Sequence, residues 1–201
     1  MQKIYYNNLN FAVKKTFFLT LIFAIFTACS EHYTPKPRAF FRIDLPEKEY
    51  KLFDDKTYPY TYEIPVYAYV APFEAENELF WANVNFPTLN ATINLSYKAL
   101  NNNLHKHIAD AFTFVDRHKG KAMRIRDLEF NDYENQIFGM LFEIGGTGVA
   151  STYQFYLTDS VRHFVRGALY LAGTPNNDSL APVIEFLKRD IDHLIETFKW
   201  R

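Results

Sequence analysis

From Tyr58 onward apolar and polar residues alternate with a period of two, the repeat of a strand buried on one face. Val66, Ala68 and Val70 alternate with Tyr67 and Tyr69. Phe80, Ala82, Val84 and Phe86 alternate with Trp81, Asn83 and Asn85, and Ala91, Ile93, Leu95 and Tyr97 with Thr92, Asn94 and Ser96. The break Pro87-Thr88-Leu89-Asn90 is short enough for an antiparallel hairpin, and the polar alternates make one sheet face wetter than the other. At Asn101 the period lengthens. Leu104, Ile108, Ala111, Phe112 and Val115 share one helix face, with asparagines to cap its start and Gly120 after its end. Strands return over Ile125 to Phe130 and Gln136 to Ile144. Gly145-Gly146-Thr147-Gly148 then turns the chain into Val149 to Leu157, and Thr158-Asp159-Ser160 into Val161 to Leu171. In the last helix Asp178 or Ser179 serves as cap and Pro182 is tolerated in the first turn. Val183, Ile184, Leu187, Ile191, Leu194, Ile195 and Phe198 form its apolar stripe, and Lys188, Arg189, Asp190, Asp192 and Glu196 its solvent side. This order predicts an α+β domain, an antiparallel β-sheet flanked by two main helices.

The N-terminus follows a different rule. Lys14 and Lys15 precede about a dozen mostly apolar residues, then Thr27-Ala28 and Cys29, the chain's single cysteine, in the manner of a bacterial lipoprotein export signal. The apolar run is shorter than the roughly 20 residues of a membrane-spanning helix. Acylation of the Cys29 sulfur after cleavage accounts for a lone thiol at this place. The departure from the usual pattern is Phe26, where leucine is commonest. An uncleaved N-terminal anchor and a soluble secreted product are the competing readings. The expected organisation is a signal peptide over residues 1–28, a lipidated N-terminus and proline-containing spacer over 29–46, and one globular domain over 47–201. Pro35 and Pro37 favour extended backbone in the spacer, where Arg38, Phe40, Phe41 and Arg42 form a candidate partner-docking segment; the plainer alternative is that its aromatics tuck onto the domain.

Composition narrows the functions. Removing residues 1–28 takes Lys3, Lys14 and Lys15 from the 22 basic side chains and leaves all 23 acidic ones, a formal charge of −4 that disfavours nucleic acid as a partner. With one cysteine no intrachain disulfide forms, so packing holds the domain, and 20 Phe and 14 Tyr place aromatic rings at the centre of that packing.

Candidate chemistry is sparse. His105 and His107, two apart on a helix, point to nearly opposite sides and do not share a metal ion; His118 sits where it favours the helix dipole. The Gly145–Gly148 run leads into a strand rather than the helix N-terminus of a phosphate-binding loop. Asp159, Ser160 and His163 lie close in sequence, but Ser160 and His163 face opposite sides of a strand, and an Asp-Ser pair in a turn caps backbone more often than it catalyses. Arg162 and Arg166 share a face with Phe164 and Tyr170, giving either a mixed basic and aromatic surface or arginines paired with acids. No cofactor, metal or catalytic residue is expected, which leaves a hydrolase as the minor reading. A small-ligand module for glycan or lipid, using exposed tyrosines over the sheet, is the alternative to a protein-interaction role, and an enclosed aromatic pocket would favour it.

Several segments together carry a resemblance: the export signal, PKPRAFFRIDLP (Pro35 to Pro46), HKGKA (His118 to Ala122), and the run from Phe155 to Ile191 ending in Thr197-Phe198-Lys199-Trp200. Across essentially the whole mature chain the sequence resembles the GldD family of gliding-motility lipoproteins of the Bacteroidetes. The resemblance implies a non-enzymatic accessory lipoprotein of gliding motility and the associated type IX secretion system. Its partners would be the bilayer, through acylated Cys29, and other proteins of that machinery. The element order is similar in layout to the Mog1/PsbP-like α/β/α sandwich. Ser-Glu-His-Tyr after Cys29 lacks the acidic run of surface-exposed lipoproteins, so a periplasm-facing anchor, in the outer membrane's inner leaflet rather than the inner membrane, is expected. Asp178-Ser179-Leu180 and Asp159-Ser160-Val161 fit the short Asp-Ser-apolar pattern of O-glycosylation, making Ser179 and Ser160 weak modification candidates; capping is the favoured role for Ser179.

One outcome follows from the anchor. Cys29→Ala removes the acyl acceptor, so the protein should accumulate as an unlipidated precursor or a mislocalised product whose domain still folds. Detergent partitioning and intact mass measure this, and mature protein carrying an unmodified Cys29 would refute it.

Overall fold

Alternation in the sequence becomes pairing in a computed structural model, which describes residues 43–74, 76 and 78–201. Cys29 and the segment Arg38, Phe40, Phe41 and Arg42 lie outside the described residues. The elements are β1 (Tyr50–Phe53), β2 (Tyr60–Pro65), β3 (Tyr69–Pro72), β4 (Ala82–Phe86), β5 (Ala91–Ala99), α1 (Leu104–Asp116), β6 (Arg124–Asp132), β7 (Ile137–Gly145), β8 (Tyr153–Thr158), β9 (His163–Leu171), α2 (Asn177–Glu196) and β10 (Lys199–Trp200). Seven strands form one antiparallel sheet in the order β3-β4-β5-β9-β8-β7-β6, and β1-β2-β10 form a second, smaller one. The fold is α+β, with an antiparallel sheet flanked by two main helices, as the element order predicts.

The two faces of the large sheet bury different things. Val84, Ile93, Leu95, Phe155, Leu157, Val165 and Leu169 point to one side, where they pack with Val183, Leu187, Ile191, Leu194 and Phe198 and with Tyr60 and Tyr62 of the small sheet. On the other side Phe142, Ile144, Tyr156 and Phe164 meet Ala111 and Val115 of α1. The inner layer is aromatic: the Phe198 ring lies 5.9 Å from Tyr62 and 4.7 Å from Trp200. Mid-strand Gly167 has a packing cause, since a Cβ there would stand 2.2 Å from the Phe155 ring, which lies flat over that backbone. The hairpin between β4 and β5 turns through a short 3₁₀ segment at Pro87–Leu89 and closes at Asn90, whose φ of 48° is left-handed, a conformation asparagine tolerates.

Several expectations are corrected. The alternation from Val66 to Val70 does not form one strand: Pro65 ends β2, the Ala68 amide donates to the Pro65 carbonyl, and Val66 is exposed. Residues 149–152 lie outside β8, because Asn177 Nδ2 donates to the Gly146 and Val149 carbonyls at 2.7 and 2.9 Å and holds that loop against the start of α2. Asn176, not Asp178 or Ser179, is the N-cap of α2. Its carbonyl accepts from Ser179 N, while Asp178 accepts from Thr147. The terminal Lys199-Trp200 forms β10 on β2, a pairing too short for a periodic signal.

The largest correction is Asp190, expected on the solvent side of α2 and in fact 1% exposed. It stands three residues after Leu187 and four before Leu194, which is the apolar stripe itself. A buried carboxylate needs partners. Here it receives Lys48, Tyr50 Oη at 3.1 Å and Tyr67 Oη at 2.7 Å. Lys48 also donates to the Phe186 carbonyl and lies 3.7 Å over the Phe186 ring. Burial, and then the Asp190 charge, push the Tyr50 phenol up to about 12. Asp192 also turns partly inward, accepting from Tyr153 Oη at 2.6 Å.

Asp190→Ala strands Lys48 and two phenols at once. Lys48 retains some access to water, so the expected loss is about 3 kcal/mol, the lower end for breaking a buried pair. Urea unfolding decides it, and a variant within about 1 kcal/mol of the parent, the ordinary effect of one point substitution, would show that the node is dispensable.

Candidate functional site

The face of the large sheet that carries α1 is only partly covered by it. Beside the helix, over β4, β5 and β9, side chains of the wetter face line a solvent-open groove of about 550 Å³. Strand register builds its floor. Asn83 stands opposite Asn94, Asn85 opposite Thr92, Thr92 opposite Tyr170 and Ser96 opposite Arg166. Two of these pairs hydrogen bond, Asn94 Nδ2 donating to Asn83 Oδ1 at 2.6 Å and Thr92 Oγ1 to Asn85 Oδ1 at 3.1 Å. Asn83, Asn94 and Ser96 line the groove, whereas Asn85 and Thr92 line a neighbouring depression.

Aromatic rings form the walls. Phe73 and Trp81 stack with centroids 6.0 Å apart, and Trp81 Nε1 is held by the Tyr97 carbonyl at 3.0 Å, which fixes the ring. Across the groove, α1 contributes His107, Asp110, Ala111 and Phe114. The Arg166 guanidinium lies 4.3 Å over the Phe114 ring and donates to Gln154 Oε1, so it is braced by an amide and a π-face. Burial lowers its pKa from the ordinary arginine value, as it does for His107, where neighbouring Lys98 adds to the effect and the imidazole is biased toward neutral. Lys98 is paired with Glu78. The groove therefore combines stacking surfaces and side-chain amides with charges of both signs.

The predicted mixed basic and aromatic surface on β9 is divided. Arg166, Phe164 and Tyr170 line the groove, whereas Arg162 is exposed and reaches Asp159 at 3.6 Å, so each of the two expected roles falls to one arginine. His105 is exposed on α1 while His107 lies 5.5 Å from the Phe164 ring, and the two are not brought together. Among the described residues no group of three His, Cys, Asp or Glu side chains is placed to hold a metal. His118 does not serve the helix dipole: burial and the nearby Arg166 lower its pKa and disfavour the charged form that would. The groove is open rather than an enclosed aromatic pocket. The alternation marked its face as wet, but that α1 would leave this half uncovered had no local signal.

The Asp159-Ser160-His163 stretch is a turn. Asp159 Oδ1 accepts from the backbone amides of Val161, Arg162 and His163 at 3.0, 2.8 and 2.8 Å. Ser160 sits at the exposed tip with φ 68°. The His163 ring points the other way, Nδ1 bonded to Tyr97 Oη at 2.8 Å and the ring stacked 5.1 Å from Trp200. Ser179 is also exposed, in the first turn of α2.

The described residues form an α+β sandwich with an amide-floored groove, and no helix among them is long and apolar enough to cross a membrane. Comparison with protein families goes further: the model of the gliding motility lipoprotein GldD matches residues 30–200, and the chain belongs to that family. None of the curated proteins compared matches it. Among solved structures it is similar to the solution structure of cyanobacterial PsbP (CyanoP) from Synechocystis sp. PCC 6803, at 8% identity and a TM-score of 0.49, over 84% of this chain and 100% of that one.

The turn reading of Asp159 has a consequence. Burial pushes its carboxyl up, but three amide donors outweigh this and hold its pKa below the ordinary 3.8. A depressed folded-state pKa stabilises above the unfolded value, and that contribution is lost as pH falls through the folded one. Asp159→Ala should therefore cost about 2 kcal/mol at pH 7 and progressively less below about pH 4, read by urea unfolding at both ends. An equal deficit at pH 7 and pH 2 would refute the charge-assisted turn.

Proposed function

We propose that this gliding-motility lipoprotein is a non-enzymatic accessory component of the gliding machinery and of the type IX secretion system associated with it. Cys29 carries the lipid, residues 29–46 space the domain from the bilayer, and residues 47–201 face the periplasm from the inner leaflet of the outer membrane. The observation that carries the reading is the family match across residues 30–200. The non-enzymatic part draws support from the way the most enzyme-like residues are used. Asp159 is occupied by three backbone amides and His163 by Tyr97 and Trp200, which leaves Ser160 without either of them as a base. Partner contact falls to Arg38, Phe40, Phe41 and Arg42, because aromatic and arginine side chains supply most hot-spot energy at protein interfaces.

Replacing Phe40 and Phe41 together by alanine should abolish gliding and secretion at normal protein level and stability. A true hot-spot residue costs about 2 kcal/mol, roughly thirtyfold in affinity. The readouts are colony spreading, secreted-protein profiles and immunoblotting. A fully functional double variant, with Ser160→Ala or His163→Ala inactive instead, would overturn the docking role and reopen the hydrolase reading.

A further inference from the structure

We infer that the groove between α1 and the β4-β5-β9 face is a binding site for a neutral oligosaccharide. This goes beyond the accessory role, which concerns the tethered segment rather than the groove. It rests on the chemistry of the lining, since the groove is open and not the enclosed aromatic pocket that would by itself favour a small ligand. A sugar presents two surfaces, the apolar C–H face of its ring and a rim of hydroxyls that each donate and accept a hydrogen bond. The groove supplies a match to both. Trp81 and Phe73 on one wall and Tyr170 at one end supply aromatic surface: Trp81 stacks on Phe73, carries Lys98 Nζ 5.3 Å over its ring and is fixed by its bond to the Tyr97 carbonyl, and Tyr170 is 38% exposed. Asn83 and Asn94, each a donor and an acceptor, lie side by side on the floor in strand register. Asp110 and the braced guanidinium of Arg166 complete the polar part of the lining.

Charge separates a neutral sugar from other occupants. The cations lining the groove are Lys98 and Arg166. Lys98 is paired with Glu78, Arg166 is held by Gln154 Oε1 and the Phe114 ring, and His107 is biased toward neutral by burial and Lys98. The groove thus offers one guanidinium, already donating to Gln154 and stacked on Phe114, rather than the cluster of cations that a phosphorylated or sulfated ligand would call for. Its amide floor is equally unsuited to an acyl chain, since covering Asn83, Asn94 and Ser96 with hydrocarbon would remove their access to water without replacing the hydrogen bonds. At about 550 Å³ the groove is large enough for two or three sugar rings.

The test uses full-length protein in a sugar-free detergent, titrated with cellotriose, maltotriose and tri-N-acetylchitotriose. Binding is followed by tryptophan fluorescence in the Trp200→Phe background, which leaves Trp81 as the reporter, and by calorimetry on the unaltered protein. Saturable binding of at least one trisaccharide is expected, weakened at least tenfold by Asn94→Leu, with the thermal transition of that variant near the parent's. Trp81→Ala, read by calorimetry alone, should weaken it to a similar extent. Heparin tetrasaccharide and phosphatidylglycerol vesicles should not compete. The inference is overturned if none of the three sugars binds, if both groove variants bind as the parent does, or if the anionic probes displace the sugar.

Discussion

An antiparallel sheet with apolar side chains on both faces needs cover on both, and here the two covers are unequal. On one side α2, of 20 residues, and the three-stranded sheet together bury the apolar alternates of the large sheet. On the other, among the described residues, there is only α1, of 13 residues. A helix is about 10 Å across and strands lie about 4.8 Å apart, so one helix shields roughly two of seven strands. What lies beneath it is apolar, and what lies beside it has to tolerate water. The run of Asn83, Asn85, Thr92, Asn94 and Ser96 answers that shortage of cover, with Asn83, Asn94 and Ser96 lining the groove and Asn85 and Thr92 the depression next to it.

The covered side carries its own constraint. Its rings are numerous and large, and tyrosines bring hydroxyls into a dry layer. Tyr60 donates to the Phe80 carbonyl, Tyr67 and Tyr50 to Asp190, and Tyr153 to Asp192. Two carboxylates on the inward side of α2 are thus acceptors for the phenols of the surrounding layer. Through Lys48 and Tyr50, the Asp190 node also ties the first described stretch of the domain to its last helix. The start of the globular domain is therefore held firmly.

Glycine and turn chemistry separate what is local from what is not. Asn90 at a left-handed φ and the Asp159 carboxylate over three amides are local devices, encoded within four or five residues. The loop after β7 is different. Its shape depends on Asn177, some thirty residues later, bonding two of its carbonyls, and for that reason β8 begins at Tyr153 rather than Val149.

The chain by itself determined most strands of the large sheet, both helices and the buried stripe of α2, because a period of two or of 3.6 is written in neighbouring residues and needs no partner to be read. It also marked the β4 and β5 alternates as wet and the Asp159 turn as a backbone cap. Tertiary structure alone decided that Asp190 would be buried, since a carboxylate inside an apolar stripe is stable there only once Lys48, Tyr50 and Tyr67 arrive from distant parts of the chain. It decided likewise that Arg162 would meet an acid while Arg166 met Phe114 and Gln154. Pairing of β10 with β2 and the placement of α1 over only part of its sheet belong to the same class. Each is a contact between segments far apart in sequence, and alternation along one segment carries no information about which other segment will cover it.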